Sequence, residues 1–250
     1  MRISILTIFP DFFLGTLDEG MIRVAREKGQ LEAAVIGLRE FTENTHRTTD
    51  DYPFGGGPGM VMKVEPIDRA LQSLEVGSPG SRPAGTRVVL TSPQGRRFTQ
   101  PVAIEYSGLA HVVLICGRYK AVDERVAEYL VDEELSIGDF ILSGGEPAAL
   151  CVVDAIARLL PGVVGDFDSV ESDSFHSGLL DAPYYTRPAE YRDWKVPDVL
   201  LSGNHAEIAR WRRLQSLQRT QQRRPDLLEG ASLAPEDRDL LEGRSGRRRR

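Results

Sequence analysis

The chain has 250 residues, of which 41% are hydrophobic and 27% charged, as in a globular protein with one large or two modest domains. Its most apolar stretch, residues 148–165, contains Asp154 and Arg158, which excludes a membrane-spanning helix there. The formal net charge of −6 argues against nucleic-acid binding by the chain taken as one uniform object.

Short β-branched runs predict the strands. The first covers residues 3–9 and follows the initiator methionine directly, without the apolar core and cleavage site of a signal peptide, so we expect a cytoplasmic protein. Further strands are predicted over residues 33–38, 87–91, 111–116 and, from a weaker pattern, 136–142.

Helical patterns lie between these strands. Residues 21–30 place Gly29 at a C-cap position, residues 65–74 have Pro66 near the first turn, and residues 123–131 are charged at their start. A last helix is predicted over residues 145–160, before Pro161 and Gly162. Apolar strands separated by helices are typical of a parallel sheet covered on both faces, so we predict an α/β fold.

The composition changes after residue 164. Residues 165–178 are polar and rich in turn formers, which indicates a flexible linker between a first domain at 1–164 and a helical domain at 179–243. The arginine-rich tail at 244–250 is expected to be disordered.

One helix of the second domain has clear sequence signals. Asn204 with Glu207 three residues later predicts its N-cap, and Pro225 predicts its end. Apolar side chains that would pack on one side recur at helical spacing: Ile208, Trp211, Leu214 and Leu217.

This helix is also strongly basic. Residues 205–224 contain six arginines and one glutamate, a net charge of +5 that leaves −11 for the rest of the chain. The asymmetry indicates a basic module on an acidic body, although a solvated helix face explains the charges about equally well.

Neither a disulfide framework nor a metal site is expected. Cys116 and Cys151 both lie within apolar runs, which predicts two buried free thiols. The four histidines, at positions 46, 111, 176 and 205, are never at the close spacing of zinc ligands.

Three loops follow predicted strands at the edge where an open parallel sheet binds its ligands: residues 91–95, 116–119 and 136–146. Each has glycine or small polar residues that let the backbone approach a ligand closely. Any one of these loops is more readily explained as a simple turn, but the three together favour a ligand site. The glycine-rich run 54–59 fits a mobile loop over a substrate and a structural turn about equally well.

Several motifs occur together, and in order, in one family. GGGPGMVM, TSPQGRRF, CGRY, SIGDFILSGGE, LLDAPYYTRP and VPDVLLSGNHAEIARWR resemble the bacterial tRNA (guanine-N1)-methyltransferase family over most of the chain. The resemblance implies a trefoil-knotted fold of the SPOUT type that holds S-adenosylmethionine in a bent shape. It also implies a homodimer, with the guanine immediately 3′ of the tRNA anticodon entering between the subunits. General topology rules alone predict an unknotted, doubly wound sheet.

The resemblance implies roles for individual residues. Asp173 would remove the proton of guanine N1, and Arg158 would stabilise the negative charge that develops on O6. The methyl donor would be bound by Thr91, Ser92, Pro93, Gly95, Gly117, Tyr119, Ile137, Gly138, Asp139, Phe140, Ile141, Leu142, Gly144, Gly145 and Pro147. The tRNA would be bound by Arg118, Asp50, Gly57, Gly59, Arg210, Arg212 and Arg213.

One motif departs from the family pattern. Many members have CGRYEG, whereas this chain has CGRYKA, so Lys120 and Ala121 replace a glutamate and a glycine. A cation facing the positive sulfur of the donor would be repelled, and we therefore expect Lys120 to point away from the methyl group. Magnesium could assist the reaction, but Lys120 argues against transferring a metal requirement from the family.

Three other functions were weighed. A non-catalytic tRNA-binding protein would not need Asp173, Arg158 and all three loops. An enzyme with a dinucleotide cofactor would need a GxGxxG motif after a strand, which the chain lacks. A ribose 2′-O-methyltransferase of the same SPOUT fold remains the nearest alternative.

Overall fold

The computed structural model describes residues 1–165 and 172–242. The chain divides into two compact units, Met1–Gly165 and Asp166–Arg250. Within the described residues, no helix has both the length and the apolar character needed to cross a bilayer. The predicted tail at 244–250 and part of the predicted linker lie outside the described residues.

The first unit alternates strands and helices. In chain order they are β1 (Arg2–Thr7), α1 (Gly20–Glu27), β2 (Glu32–Gly37), β3 (Asp50–Asp51), β4 (Val61–Met62), α2 (Val64–Ser73), β5 (Thr86–Arg97), α3 (Gln100–Ser107), β6 (His111–Cys116), β7 (Ala121–Val122), α4 (Glu124–Tyr129), β8 (Glu133–Ser136) and α5 (Glu146–Ala157). Short 3-10 turns lie at Pro10–Phe13, Thr16–Asp18 and Leu38–Phe41.

Five of these strands form one parallel sheet in the order β2-β1-β6-β5-β8. Its two faces are covered by separate apolar clusters. One cluster packs side chains of α1, α3 and α5 on the sheet, and the other packs side chains of α2 and α4 on the opposite face. The predicted α/β fold, with a parallel sheet buried on both faces, is confirmed. A smaller sheet in the order β3-β4-β7 lies in the same unit.

Local signals explain several helix ends. The Asp123 carboxylate caps α4 by accepting a hydrogen bond from the Arg125 amide at 3.0 Å. The C-cap of α1 is Lys28, and Gly29, predicted at the C-cap, follows it with a φ of +68°. Pro147 lies in the first turn of α5, where its missing amide hydrogen costs no helical hydrogen bond.

Three sequence predictions for this unit need correction. The strand predicted over residues 136–142 ends at Ser136, because the Ser136 hydroxyl bonds both the amide and the carbonyl of Gly138 and turns the chain. The last helix ends at Ala157 rather than at residue 160. Cys151 is exposed, since it lies on the side of α5 away from the core, whereas Cys116 is buried and both thiols are free.

The second unit contains short elements around one long helix. They are β9 (Glu190–Tyr191), β10 (Trp194–Lys195), α6 (Asp198–Leu201), α7 (His205–Arg223), α8 (Pro225–Glu229) and α9 (Pro235–Leu241). Asn204 caps α7 by accepting a hydrogen bond from the Glu207 amide at 3.3 Å, which confirms the predicted start.

The buried side of α7 packs in part through hydrogen bonds. Leu217 and Thr220 are fully buried. The Thr220 hydroxyl accepts a hydrogen bond from the Leu180 amide at 3.0 Å, and the Ser216 hydroxyl donates to the Leu180 carbonyl at 2.5 Å. These contacts attach the segment before β9 to the helix.

Candidate functional site

A bulge in β5 forms the first wall of the site. Thr91 and Arg96 both pair with Leu135 of β8, so residues 92–95 leave the ladder and β5 then resumes. The predicted loop 91–95 therefore lies inside a longer strand instead of after it. A Cβ atom on Gly95 would overlap the backbone of Glu134 and Leu135, so only glycine allows β8 to approach this closely.

The second wall follows β6. Here Gly117 lies against the first wall, with its amide 3.4 Å from the Thr91 hydroxyl oxygen. The backbone amide of Arg118 donates a hydrogen bond to the Met62 sulfur at 3.1 Å. Tyr119 has a φ of +61° and an exposed ring, so the chain turns sharply at the rim.

The third wall runs from the end of β8 into α5. Gly144 forms an isolated bridge with Arg118, and the Gly145 amide donates a hydrogen bond to the Gly117 carbonyl at 2.8 Å. A Cβ atom on Gly145 would overlap the Thr91 hydroxyl and lie 2.9 Å from Cys116 Cα. The three walls therefore meet at positions where no side chain fits.

The walls enclose one pocket, which brings together most of the residues predicted to bind a cofactor. Those that line it are Thr91, Ser92, Pro93, Gly117, Tyr119, Ile137, Gly138, Phe140, Ile141, Leu142, Gly144 and Gly145. Phe140, Ile141 and Leu142 are exposed, although they are apolar, and they form an apolar wall open to a ligand. The pocket thus combines glycine backbone with apolar surface.

Three residues predicted for the same role lie elsewhere. Gly95 is in contact with the backbone of β8, as described above. Asp139 forms an exposed ion pair with Arg97 at 2.7 Å. Pro147 lies in the first turn of α5. None of the three is among the residues that line the pocket.

A buried ion pair lies beneath the pocket. Glu146 is fully buried, accepts a hydrogen bond from the Thr7 hydroxyl at 2.6 Å and accepts another from Arg118 Nε at 2.9 Å. The Arg118 guanidinium also lies over the Phe9 ring, 4.6 Å from its centroid. This network fixes Arg118 at the rim. No role for Glu146 is predicted from the sequence, although the motif SGGE at residues 143–146 places its carboxylate next to two glycines.

Cys116 lies directly behind the pocket but is not suited to nucleophilic chemistry. Burial raises the pKa of its thiol well above the usual range, and the negative charge of Glu146 raises it further. The thiol is therefore neutral at physiological pH, and a neutral thiol is a poor nucleophile.

The structure gives no support to a magnesium site. Among residues 1–165 and 172–242, no group of three or more His, Cys, Asp or Glu side chains is placed to hold a metal ion. Lys120 and Ala121 line the pocket and are exposed. The orientation of Lys120 relative to a methyl donor remains a prediction.

The residues predicted to carry catalysis lie in different units. Arg158 is the C-cap residue of α5 in the first unit, and its side chain is half-buried. Asp173 belongs to the second unit, where its carbonyl accepts a hydrogen bond from the His176 amide at 3.2 Å. Neither lines the pocket of the first unit.

The residues predicted to bind substrate are also spread along the chain. Arg118 lines the pocket, whereas Asp50 lies in β3, paired with Met62. Gly57 and Gly59 both have positive φ values, +115° and +91°, and belong to an exposed loop. This loop reaches the second wall, because a Cβ atom on Gly59 would lie 3.0 Å from Lys120 Cβ.

The arginines of α7 are not equivalent. Arg210 is exposed. Arg212 lies over the Tyr184 ring, 5.6 Å from its centroid. Arg213 donates two hydrogen bonds to the buried Asp237 carboxylate at 2.7 and 2.6 Å, so it stabilises the packing of α9 on α7.

Comparisons with known proteins identify the family of the chain. A family model described as tRNA (Guanine-1)-methyltransferase TrmD matches residues 1–230. Three curated proteins named tRNA (guanine-N(1)-)-methyltransferase are similar along nearly the whole chain. The one from Moorella thermoacetica is 52% identical over 97% of this chain and 96% of its own length. The one from Geotalea uraniireducens is 53% identical over the same shares. The one from Geobacillus kaustophilus is 52% identical over 96% of this chain and 97% of its own. The chain therefore belongs to the tRNA (guanine-1)-methyltransferase family TrmD.

Proposed function

We propose that the chain transfers a methyl group from S-adenosylmethionine to N1 of the guanine immediately 3′ of the anticodon in tRNA. The observation that carries the proposal is the convergence of the three glycine loops on one pocket in a member of this family. The relatives named above are named for methylation of guanine N1 in tRNA.

The pocket fits the methyl donor by its chemistry. Gly144 and Gly145 let the walls of the pocket approach closely, because a Cβ atom on either would overlap a neighbour, and the exposed side chains from Phe140 to Leu142 offer apolar contact. S-adenosylmethionine carries its methyl group on a positively charged sulfur and thus supplies an electrophile that needs no metal for activation. The protein has to hold this group close to the guanine and exclude water.

The remaining chemistry concerns guanine N1, which bears a proton. We assign its removal to Asp173, after which the N1 electron pair attacks the methyl carbon and the carbon–sulfur bond breaks towards sulfur. Negative charge accumulates on O6 as the proton leaves, and we assign its stabilisation to the Arg158 guanidinium. Both assignments come from the family resemblance.

Contacts to tRNA are assigned to residues at the pocket and to positively charged side chains of α7 that form no ion pair with Asp237. Arg118 at the pocket rim and the exposed glycine loop 54–59 would contact the target nucleotide, while Arg210 and Arg212 would contact phosphates. Arg213 is left out of this set, because its guanidinium is bound by Asp237.

We further propose a trefoil knot, a homodimer and a cytoplasmic location. The knot is supported by family membership. A dimer is supported by the exposed apolar side chains of Phe12 and Leu14 in the first unit. The cytoplasm is where a tRNA substrate is available.

The proposal is tested by incubating the chain with labelled S-adenosylmethionine and unmodified tRNA and identifying the product nucleoside by mass spectrometry. We expect 1-methylguanosine. A 2′-O-methylated nucleoside would instead assign the chain to ribose methylation, and absence of label would overturn the proposal.

Asp173→Asn tests the assigned base. We expect turnover to fall by about 10²- to 10⁴-fold, because an amide cannot accept the N1 proton, with donor affinity unchanged. Asp198→Asn, an exposed aspartate at the start of α6, is the matched control and should leave turnover unchanged. Near-normal turnover in Asp173→Asn would overturn the assignment.

A further inference from the structure

A two-stranded hairpin in the second unit presents exposed aromatic rings. Strands β9 and β10 pair Tyr191 with Trp194, and their ring centroids are 5.9 Å apart. Tyr191 is 55% exposed and Trp194 is 67% exposed. Large aromatic side chains at this exposure leave apolar surface in water, which in a folded protein usually marks a binding surface.

An arginine side chain lies next to both rings. The Arg192 guanidinium carbon lies 5.4 Å from the centroid of the Tyr191 ring and 5.6 Å from that of the Trp194 ring. Arg192 has a φ of +58°, so the turn itself brings this side chain back over the strands. The tip of the hairpin thus offers flat π surfaces next to a fixed positive charge.

The base of the hairpin lies beside a groove that is also lined by aromatic and arginine side chains. The Val196 amide donates a hydrogen bond to the Ala189 carbonyl at 2.9 Å and closes the hairpin, and both residues line the groove. The groove is also lined by Tyr184, which is 62% exposed, and by Arg187 and Arg212. Among the described lining residues there is no carboxylate.

The charge of this surface favours a polyanion. Glu190, the acidic residue of β9, is within 3.7 Å of Lys195, and the turn contains one residue of each charge, Arg192 and Asp193. Arg212 belongs both to the groove and to the arginine-rich helix α7, so the aromatic surface continues into the most basic part of the chain.

We propose that the hairpin, together with this groove, binds unpaired nucleotides of the tRNA, whose bases stack on Trp194 and Tyr191. Unpaired bases are the parts of an RNA that can stack on aromatic side chains and arginine planes, while neighbouring arginines contact phosphates. The inference rests on the proposed function and adds to it a second RNA contact, distinct from the methylated guanine and from the pocket of the first unit.

The test uses tryptophan fluorescence of the full chain. The sequence contains two tryptophans, so Trp211→Phe leaves Trp194 as the single reporter. A stacked base quenches indole emission, and we therefore expect quenching by an unmodified tRNA transcript and none by a fully paired RNA duplex. Absence of quenching by a tRNA that the protein methylates would overturn the inference while the proposed function stands. Quenching by tRNA without methyl transfer would support the inference and overturn the proposed function.

Affinity measurements separate stacking from a structural role. Trp194→Ala should weaken tRNA binding by about 5- to 100-fold, which is the loss expected for one base–aromatic stack, and Trp194→Phe should restore most of it. The matched control is Tyr129→Ala, which removes a 64% exposed aromatic side chain from α4. Equal affinities of Trp194→Ala and Tyr129→Ala would overturn the inference. So would a loss of self-association in Trp194→Ala with tRNA affinity unchanged, since the surface would then be an interface between copies.

Discussion

At Gly145 the absence of a side chain decides whether the pocket can form. The residue has an ordinary φ of −80°, so glycine is needed for space and not for backbone freedom. A methyl group there would overlap the Thr91 hydroxyl and crowd the backbone between Cys116 and Gly117. All three walls would have to move apart to accept it, and a closely packed interior resists such movement.

Gly145→Ala should therefore impair donor binding. We expect S-adenosylmethionine affinity, measured by calorimetry, to fall at least about 10-fold, with a loss of stability of about 1–3 kcal/mol from overpacking. Gly108→Ala is the control, because a Cβ atom there meets only the Glu105 carbonyl oxygen at 3.5 Å. Donor binding by Gly145→Ala as tight as by Gly108→Ala would contradict this account of the pocket.

The first residue of β6, His111, has a charge state that is linked to folding. The His111 ring is hydrogen-bonded through Nε2 to the hydroxyl of the fully buried Ser4 at 2.9 Å. Burial lowers the pKa of His111, and the nearby Arg2 cation lowers it further, while Glu32 acts in the opposite direction. Because the folded state holds the neutral ring, protonation favours unfolding.

The resulting pH dependence can be measured. Below about pH 6.5, the pKa of an unfolded histidine, the unfolded chain binds a proton that the folded chain resists, so stability decreases as pH falls. His111→Gln should reduce the change in the urea-denaturation midpoint between about pH 7 and pH 5. Measurements at pH 8 provide the reference, since the wild-type ring is neutral in both states there. An identical pH dependence of the midpoint in the variant would contradict the linkage.

Sequence patterns predicted those strands and helices of the first unit whose signal lies in neighbouring residues. The strands at 33–38 and 111–116 agree with β2 and β6 within a residue. Helix α3 was not predicted, because its consecutive apolar residues give no clear stripe. The resumption of β5 after the bulge was also missed, since SPQG has the composition of a turn and only pairing with β8 shows that the strand continues.

The same limit applies to the site. Glycines at 117, 144 and 145 are local signals, and they do line the pocket. The role of Glu146 depends on Thr7, 139 residues away, and on Arg118, so no window of sequence contains it. Exposure of Cys151 depends on which side of α5 faces the sheet, which an apolar run on its own does not show.

Over the whole molecule, the segment 205–224 has a strong local excess of positive charge, but not all of this charge is available to a ligand. Hydrogen bonds from Arg213 lower the pKa of Asp237, and the pair is partly buried, so its charges offset each other. Arg212, by contrast, lies over an exposed tyrosine ring, where its charge is not offset by Asp237. The net charge of the segment 205–224 therefore overstates the number of its arginines that can meet phosphates.

Salt dependence of tRNA binding distinguishes these two neighbours. Arg212→Ala should reduce the slope of log affinity against log salt concentration by about 0.7 to 0.9, the value for one lost phosphate contact. Arg213→Ala should leave the slope unchanged and instead lower the urea midpoint, because it leaves the Asp237 carboxylate buried without its partner. Equal losses of slope in both variants would show that Arg213 also contacts phosphate.

The position of Gly145 near the end of the first unit determines when the pocket can form during translation. Its walls come from residues 91–95, 117–119 and 137–145, and the last of them joins the others only where the chain enters α5. A nascent chain that has emerged from the ribosome only as far as β8 lacks that wall, however well its sheet has formed. The proposed donor pocket can therefore form only after the segment through α5 has been synthesised.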